Sequence, residues 1–352
     1  MDYIGSKDKL NKWIFSNIKK YLEKDLIEYV FLDACAGSGS VSMYAISKCN
    51  FKKVITNDIM EFPSVIINGY IQLKENTVIA ERHIANINKL EGVEGFFYSN
   101  YSENASRFYF TNENAKKIDA TINYIKNVLD NNMRYYLLYC GIEALSKVSN
   151  TTGVQAAFLK QFKDRAKQPF FIKLEKTYIE KTCDVKTFSR DILSLLKDEN
   201  FRLENNEDIL YIDPPYNQRQ YGPNYHLYET FCRNDNPEIK GKTGLRYWED
   251  ESKSLFCSKN TCCDFLTNVI KFSTAKIVAI SYNSDGLLSA DEIINLILRN
   301  FSTDCSLYVK NQKRYKSDNK RDNNISILKE YLFIFNKKQE GEDIFKNEQS
   351  IN

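Results

Sequence analysis

The residues best equipped for chemistry follow an apolar run, Leu210-Tyr211-Ile212, that passes directly into Asp213-Pro214-Pro215-Tyr216. Two prolines fix φ and remove two backbone donors, so the chain must leave a sheet here as a rigid extended loop. Such a loop holds the Asp213 carboxylate and the Pro214 carbonyl as acceptors at a strand's carboxyl end, with the flat face of Tyr216 beside them. Two acceptors and an aromatic plate suit a planar base bearing an amine. The amine donates both hydrogens, its lone pair turns toward an electrophile, and the ring stacks. The competing reading is a structural Pro-Pro turn or a polyproline ligand. A buried strand before the loop and a helix after it favour the chemical reading.

A second constellation is Asp33-Ala34-Cys35-Ala36-Gly37-Ser38-Gly39-Ser40. A glycine pair between a buried strand and a helix lets backbone approach a ligand closely. Asp58 ends the next apolar run, 21 positions after Gly37, the spacing at which a carboxylate takes the two hydroxyls of an adenosine ribose. Taken alone, the glycine pair fits a tight strand-to-helix turn equally well. The third small position of a dinucleotide fingerprint is Ser42, not Gly or Ala, which tilts the loop from NAD toward another adenosine-bearing cofactor.

The elements that would position these residues alternate. Tyr29-Val30-Phe31-Leu32-Asp33 and Lys53-Val54-Ile55-Thr56-Asn57-Asp58 read as strands around a helix from Ser40 to Lys48, and a helix from about Asp8 to Leu22 precedes them. Further strands are expected at 208–212, 276–281 and 325–335, with a helix at 289–300. Cys305 to Lys310 can pair with the last strand as an antiparallel hairpin. The fold class is therefore α/β, a Rossmann-like, mostly parallel, doubly wound sheet with an antiparallel edge hairpin. Residues 73–181 interrupt the alternation and are helical in period from Ala115 to Val148. They are expected to form an inserted, mainly helical subdomain between the two parts of a main domain, 1–72 and 182–336. Residues 337–352 read as a polar tail.

Composition bounds the remaining choices. The 352 residues are 43% hydrophobic and 27% charged, which is globular, and a net charge of +3 identifies no partner. No run approaches the roughly 18 apolar residues of a membrane span, and the amino terminus lacks a signal-peptide pattern, so a cytoplasmic protein is expected. Nine cysteines without a C-x-x-C pair, and only His83 and His226, argue against a metal site and for reduced thiols.

Taken together, Tyr3-Ile4-Gly5-Ser6-Lys7, the Asp33-to-Gly39 loop, Asp58 and the Asp213-to-Tyr216 loop resemble the Dam-like class of site-specific DNA adenine-N6 methyltransferases. Asn217-Gln218-Arg219-Gln220-Tyr221, Ser281-Tyr282-Asn283-Ser284-Asp285-Gly286-Leu287 and Glu330-Tyr331-Leu332 look like later motifs of a restriction–modification subgroup. The resemblance implies transfer of a methyl group from S-adenosyl-L-methionine to the N6 amine of an adenine flipped from duplex DNA, without a covalent enzyme intermediate. It implies Asp213, Pro214 and Tyr216 as catalytic, and Tyr3, Lys7, Asp33, Gly37, Gly39, Asp58, Asp191 and Asp213 around the cofactor. Lys7 would lie near the methionine carboxylate and Asp191 near the adenine, although Asp191 fits a helix cap almost as well. The 73–181 insert would recognise the target. A restriction endonuclease sharing the site, without binding this chain, is a further implied partner.

Basic residues mixed with amides mark two DNA-facing candidates, one holding Asn150, Lys160 and Arg165, the other Lys313 and Arg314. A solvated lysine-rich surface explains either stretch as well. Arg219, three residues beyond Tyr216, is the better single candidate for reaching the flipped base. His226 reads as a helix residue packed behind the loop. The alternatives are methylation of a cytosine amine or of RNA, and a methyltransferase-like module that binds nucleic acid without turnover. Asp213 disfavours the cytosine enzymes, which usually carry Ser there, and an intact Asp213 and Asp58 disfavour the silent module.

Overall fold

The computed structural model describes residues 3, 5–71, 77–175, 183–248, 253–313 and 327–338. In chain order the main elements are α1 (Asn11–Ile18), β1 (Val30–Asp33), α2 (Ser40–Lys48), β2 (Lys53–Asp58), α3 (Glu61–Ile71), α4 (Thr77–Lys89), α5 (Phe96–Tyr101), α6 (Asn112–Lys126), α7 (Asn131–Val148), β3 (Asp184–Ser189), α8 (Ile192–Lys197) and α9 (Glu199–Asn205). They continue with β4 (Ile209–Ile212), α10 (Tyr221–Asn224), α11 (His226–Arg233), β5 (Ile239–Lys240), β6 (Leu245–Arg246), α12 (Cys262–Phe272), β7 (Ile277–Asn283), α13 (Ala290–Asn300), β8 (Ser306–Lys313) and β9 (Ile327–Asn336).

Seven strands form one sheet in the order β3-β2-β1-β4-β7-β9-β8. The first five are parallel, Leu32 lying opposite both Ile55 and Leu210. β9 runs antiparallel to β7 and to β8, which is the expected edge hairpin. Both faces are covered, so the central strands are buried at every position. Alternation assigns the faces. Leu32, Leu210, Val278 and Phe335 pack with α8, α12 and α13, while Phe31, Tyr211, Ala279 and Ile334 pack with α1 and α2. The chain builds outward from β1 in both directions, so the ends of β1 and β4 flank a crevice where the strand order reverses, the usual ligand position in such sheets.

The sequence reading missed β3. Its Asp184–Ser189 run is only half-buried at the sheet edge and lacks the apolar signature of the central strands. The helical stretch from Ala115 to Val148 divides into α6 and α7, because Asp130 accepts from the Met133 N–H and starts a new helix. The third core cluster joins α3 through α7 to Tyr225, Leu227, Tyr228 and Phe231 of the α10–α11 segment. The helical layer thus reaches beyond 73–181 on both sides and packs against the segment that follows the Asp213 loop. Among the described residues no helix is long and apolar enough to cross a membrane.

Candidate active site

Three parallel strands end in carboxylates at the crevice: β1 in Asp33, β2 in Asp58, and β4 in the loop that begins with Asp213. All three line one cleft with Tyr3, Lys7, Gly37, Asp191, Pro214 and Tyr216. Gly37 and Gly39 have φ of +52° and +74°, conformations that favour glycine. A Cβ on Gly37 would lie 2.8 Å from the Tyr3 hydroxyl, and one on Gly39 would lie 2.9 Å from Ile67. Side chains there would close the cradle between β1 and α2. The turn is tied to β2, since the Gly37 N–H donates to Asp58 Oδ2 (2.8 Å) and the Met60 N–H to Asp58 Oδ1 (3.0 Å). Each Asp58 oxygen keeps a further lone pair for a ligand hydroxyl.

The electrostatics are those of a buried anionic cleft. Burial pushes Asp58 up to about 6, opposed by those two N–H bonds. Asp33 is 1% exposed and is pushed by burial up to about 7. Its Oδ2 accepts from Ser42 (2.6 Å), while Oδ1 is buried without a hydrogen-bond partner. Burial also raises Asp213, and Lys7 opposes the rise. Arg190 lines the cleft as well, but its guanidinium is paired with Asp198 at 2.7 Å.

Lys7 lines the same cleft. Its ammonium, 3% exposed, lies 3.0 Å from Asp213 Oδ1 and 4.0 Å from Glu330 Oε2, and donates to the Gly5 carbonyl at 3.2 Å. It is therefore a partner of the Asp213 carboxylate in this structure. Tyr216 leans edge-on against Tyr282 (5.8 Å between centroids, 72°), and its carbonyl accepts from the Leu287 N–H at 2.9 Å. These contacts hold the loop against the end of β7 and the segment after it. Tyr3 stacks on Tyr225 at 4.3 Å and 9°.

Asp191 lines the cleft and also caps α8, its Oδ1 accepting from Ser194 at 2.9 Å. His226 is fully buried, donates Nε2–H to the Gln155 carbonyl at 3.0 Å, and is held neutral because burial lowers it to about 3. Asn150 is a correction. Expected on a DNA-facing surface, it is fully buried. Its amide donates to the Phe108 and Leu159 carbonyls, and its oxygen accepts from the Lys163 N–H. The backbone after α7 needs those groups for its own hydrogen bonds, so Asn150 cannot read a base. Lys160, Arg165 and Arg219 are exposed and do not line the cleft. Lys313 closes β8, and Arg314 lies outside the described residues.

Sequence reasoning did not bring out the stacking of Tyr225 on Tyr3, or the clamp in which Gln220 donates to Ser254 O and accepts from Ser254 N. Nor did it find the work of Asn57, whose amide bonds the Ala34 and Arg190 carbonyls. An amide one residue before the end of an apolar strand was the available signal for Asn57, as a carboxylate beside Tyr331-Leu332 was for Glu330. Among the described residues no group of three or more metal-ligating side chains converges.

Comparison with known proteins agrees with this geometry. Residues 3–286 match the profile of the D12 class N6 adenine-specific DNA methyltransferases. The chain is 35% identical over 348 residues to the type II methyltransferase M.NlaIII of Neisseria lactamica, covering 96% of this chain and 99% of that one. It is 32% identical to the type II methyltransferase M.CviAII of Paramecium bursaria Chlorella virus 1, covering 94% and 97%. It is also 35% identical to the type II methyltransferase M.FokI of Planomicrobium okeanokoites, over 96% of this chain but only 53% of that longer protein. The family match spans both the glycine cradle after β1 and the Asp213 loop after β4, and the chain belongs to the D12 class of N6 adenine-specific DNA methyltransferases.

Proposed function

We propose that the cleft binds S-adenosyl-L-methionine and a flipped adenine side by side, and that Asp213, Pro214 and Tyr216 carry the methyl transfer. The observation that carries this is the convergence of Asp33, Asp58 and Asp213 on one cleft whose glycine cradle admits no side chain. The fit to the donor is chemical. The buried, unpartnered Asp33 Oδ1 needs a donor group, Asp58 has acceptor capacity for ribose hydroxyls, and an excess of carboxylates over free cations suits a sulfonium. When bound, S-adenosyl-L-methionine supplies a methyl group activated by its positive sulfur.

The protein's part is positioning and charge. Asp213 and the Pro214 carbonyl accept the two hydrogens of the amine, aiming its lone pair, while Tyr216 stacks on the base. With the donor bound, the amine nitrogen would become positive as it takes the methyl group and the neutral thioether leaves. The Asp213 carboxylate faces that charge, and the nitrogen then sheds a proton toward it. Lys7 favours the ionised form of Asp213 against the burial that disfavours it. Flipping the adenine costs a few kcal/mol, met from contacts elsewhere on the duplex.

We assign target recognition to the helical layer of α4–α7 with the α10–α11 segment, and duplex contacts to Lys160, Arg165, Arg219, Lys313 and Arg314. By analogy with its relatives, the enzyme modifies the site of a restriction endonuclease. Incubation with methyl-labelled S-adenosyl-L-methionine and unmethylated duplex DNA tests the reading, with label expected in N6-methyladenine. Label in cytosine, or tight DNA binding with no transfer, overturns it.

A further inference from the structure

One buried carboxylate at the site has no role in the transfer as described. Glu330 lies on β9, 6% exposed, in register with Asn283 of β7 and Lys310 of β8. Its Oε2 is buried, makes no hydrogen bond, and lies 4.0 Å from Lys7 Nζ, whose other carboxylate neighbour is Asp213 at 3.0 Å. One ammonium therefore has two carboxylate neighbours, Asp213 from the loop after β4 and Glu330 from β9.

We propose that Glu330 is a positioning residue for methyl transfer, which acts by sharing the Lys7 ammonium so that Asp213 stays a strong acceptor for the target amine. The proposal rests on the assignment of Asp213 above. An ammonium paired with Asp213 alone would neutralise the carboxylate and compete with the amine for its lone pairs. A buried charge left without a second partner would also draw Lys7 closer to Asp213. With Glu330 opposite, Lys7 keeps Asp213 ionised without cancelling the negative charge that faces the nitrogen as it becomes positive.

The surroundings leave few other groups to do this. Lys310, across the strand pair, has its ammonium 5.8 Å from the Trp13 ring centroid. Tyr211, Tyr216 and Tyr221 face the same charges, and burial raises each hydroxyl so that it stays neutral. Ser281, on β7, bonds the Tyr211 hydroxyl at 2.7 Å. Asp33, at the end of β1, adds negative charge and no cation.

The test is Glu330→Gln in the full chain, which keeps the shape and removes the charge. Two quantities are read: the pH profile of single-turnover methyl transfer into duplex DNA, and the carboxyl titration of Asp213 in protein carrying 13Cγ-aspartate. The Asp213 signal is the one lost in Asp213→Asn. The plateau rate should fall about tenfold or more, the scale of outer-shell partners elsewhere. The acid limb and the Asp213 titration should both move down by about one unit. Glu330→Asp, whose charge withdraws by one methylene, should shift both the same way and less. A lower rate with an unmoved Asp213 titration, in either folded variant, would show packing alone and overturn the proposal, as would a wild-type rate. Retained transfer in Asp213→Asn would instead sink the underlying assignment, whatever Glu330 does.

Discussion

Two sets of buried polar side chains, one in the helical layer and one at the carboxyl end of the sheet, are bonded in opposite ways. In the helical layer, Asn114 donates to the Ala166 and Gln168 carbonyls and accepts from the Phe170 N–H, and Asn150 is bonded on all sides by backbone. Asp119 accepts from three N–H groups at the start of α5. At the carboxyl end of the sheet, Asp33 and Glu330 each leave a buried oxygen without a hydrogen bond, and four carboxylates, those of Asp33, Asp58, Asp191 and Asp213, line one cleft. A satisfied buried amide fixes backbone, while an unsatisfied buried carboxylate costs stability until a ligand meets it. At the cleft, the open oxygen of Asp33 is available to a ligand, whereas Asn114, Asn150 and Asp119 spend their bonds on the fold.

The largest effect expected from this contrast is at Asp213. Asp213→Ala should lower methyl transfer by at least about 10³-fold, the scale of removing a principal charge-stabilising group, in a protein that still folds but melts lower because Lys7 loses its nearest partner. Near-normal transfer would erase the distinction between the regions. Asn150→Ala should do the reverse. It orphans two carbonyls and one N–H in a dry site, so a loss of about 3 kcal/mol is expected in a urea titration, with methyl-donor affinity in the remaining folded protein unchanged. Asp58→Ala belongs with the sheet end. Calorimetry should give a donor dissociation constant raised about 10- to 100-fold, and an equal value would remove the ribose role.

A subtler consequence is a pH slope. Asp33 and Asp58 are raised by burial to about 7 and about 6, above their values in an unfolded chain. Between about pH 4 and 7 the folded state then binds more protons than the unfolded state, so these groups lower stability as pH rises through that window. A cationic donor prefers the ionised forms, so its affinity should fall as pH drops below 7. Melting of the ligand-free protein between pH 5.5 and 7.5 should show the decline, of order 1 kcal/mol per unit. Asp33→Asn should flatten it while weakening donor binding. An equally steep slope in Asp33→Asn would mean that the open carboxylate carries no cost.

The sheet end was largely legible in the sequence because its signals are local. A strand running into Pro-Pro, or into Gly-x-Gly, dictates backbone within a few residues, and central strands buried on both faces read as unbroken apolar runs. β3 was not legible, since an edge strand with half-exposed positions has no such run. Nor was the burial of Asn150: an amide among lysines looks like a surface, and only the path of the chain after α7 shows the carbonyls it meets. Tyr3 on Tyr225, and Lys7 between Asp213 and Glu330, join distant parts of the chain. No spacing rule reaches across that separation.

The smallest expected effect concerns the exposed lysines and arginines of the helical layer, where the contrast with the cleft is sharpest. Lys160 is exposed and does not line the cleft, so nothing ties it to donor binding or to the chemistry. If it meets a phosphate, Lys160→Ala removes one released counterion. The slope of log K against log salt for duplex binding should then become shallower by about 0.9, and binding should weaken to a similar degree for specific and nonspecific duplexes. Donor affinity and single-turnover rate at saturating DNA should stay at parental values. Fluorescence anisotropy from 50 to 200 mM salt measures the slope. An unchanged slope would assign Lys160 to the solvated surface and move the duplex path to Arg219 and the β8 end.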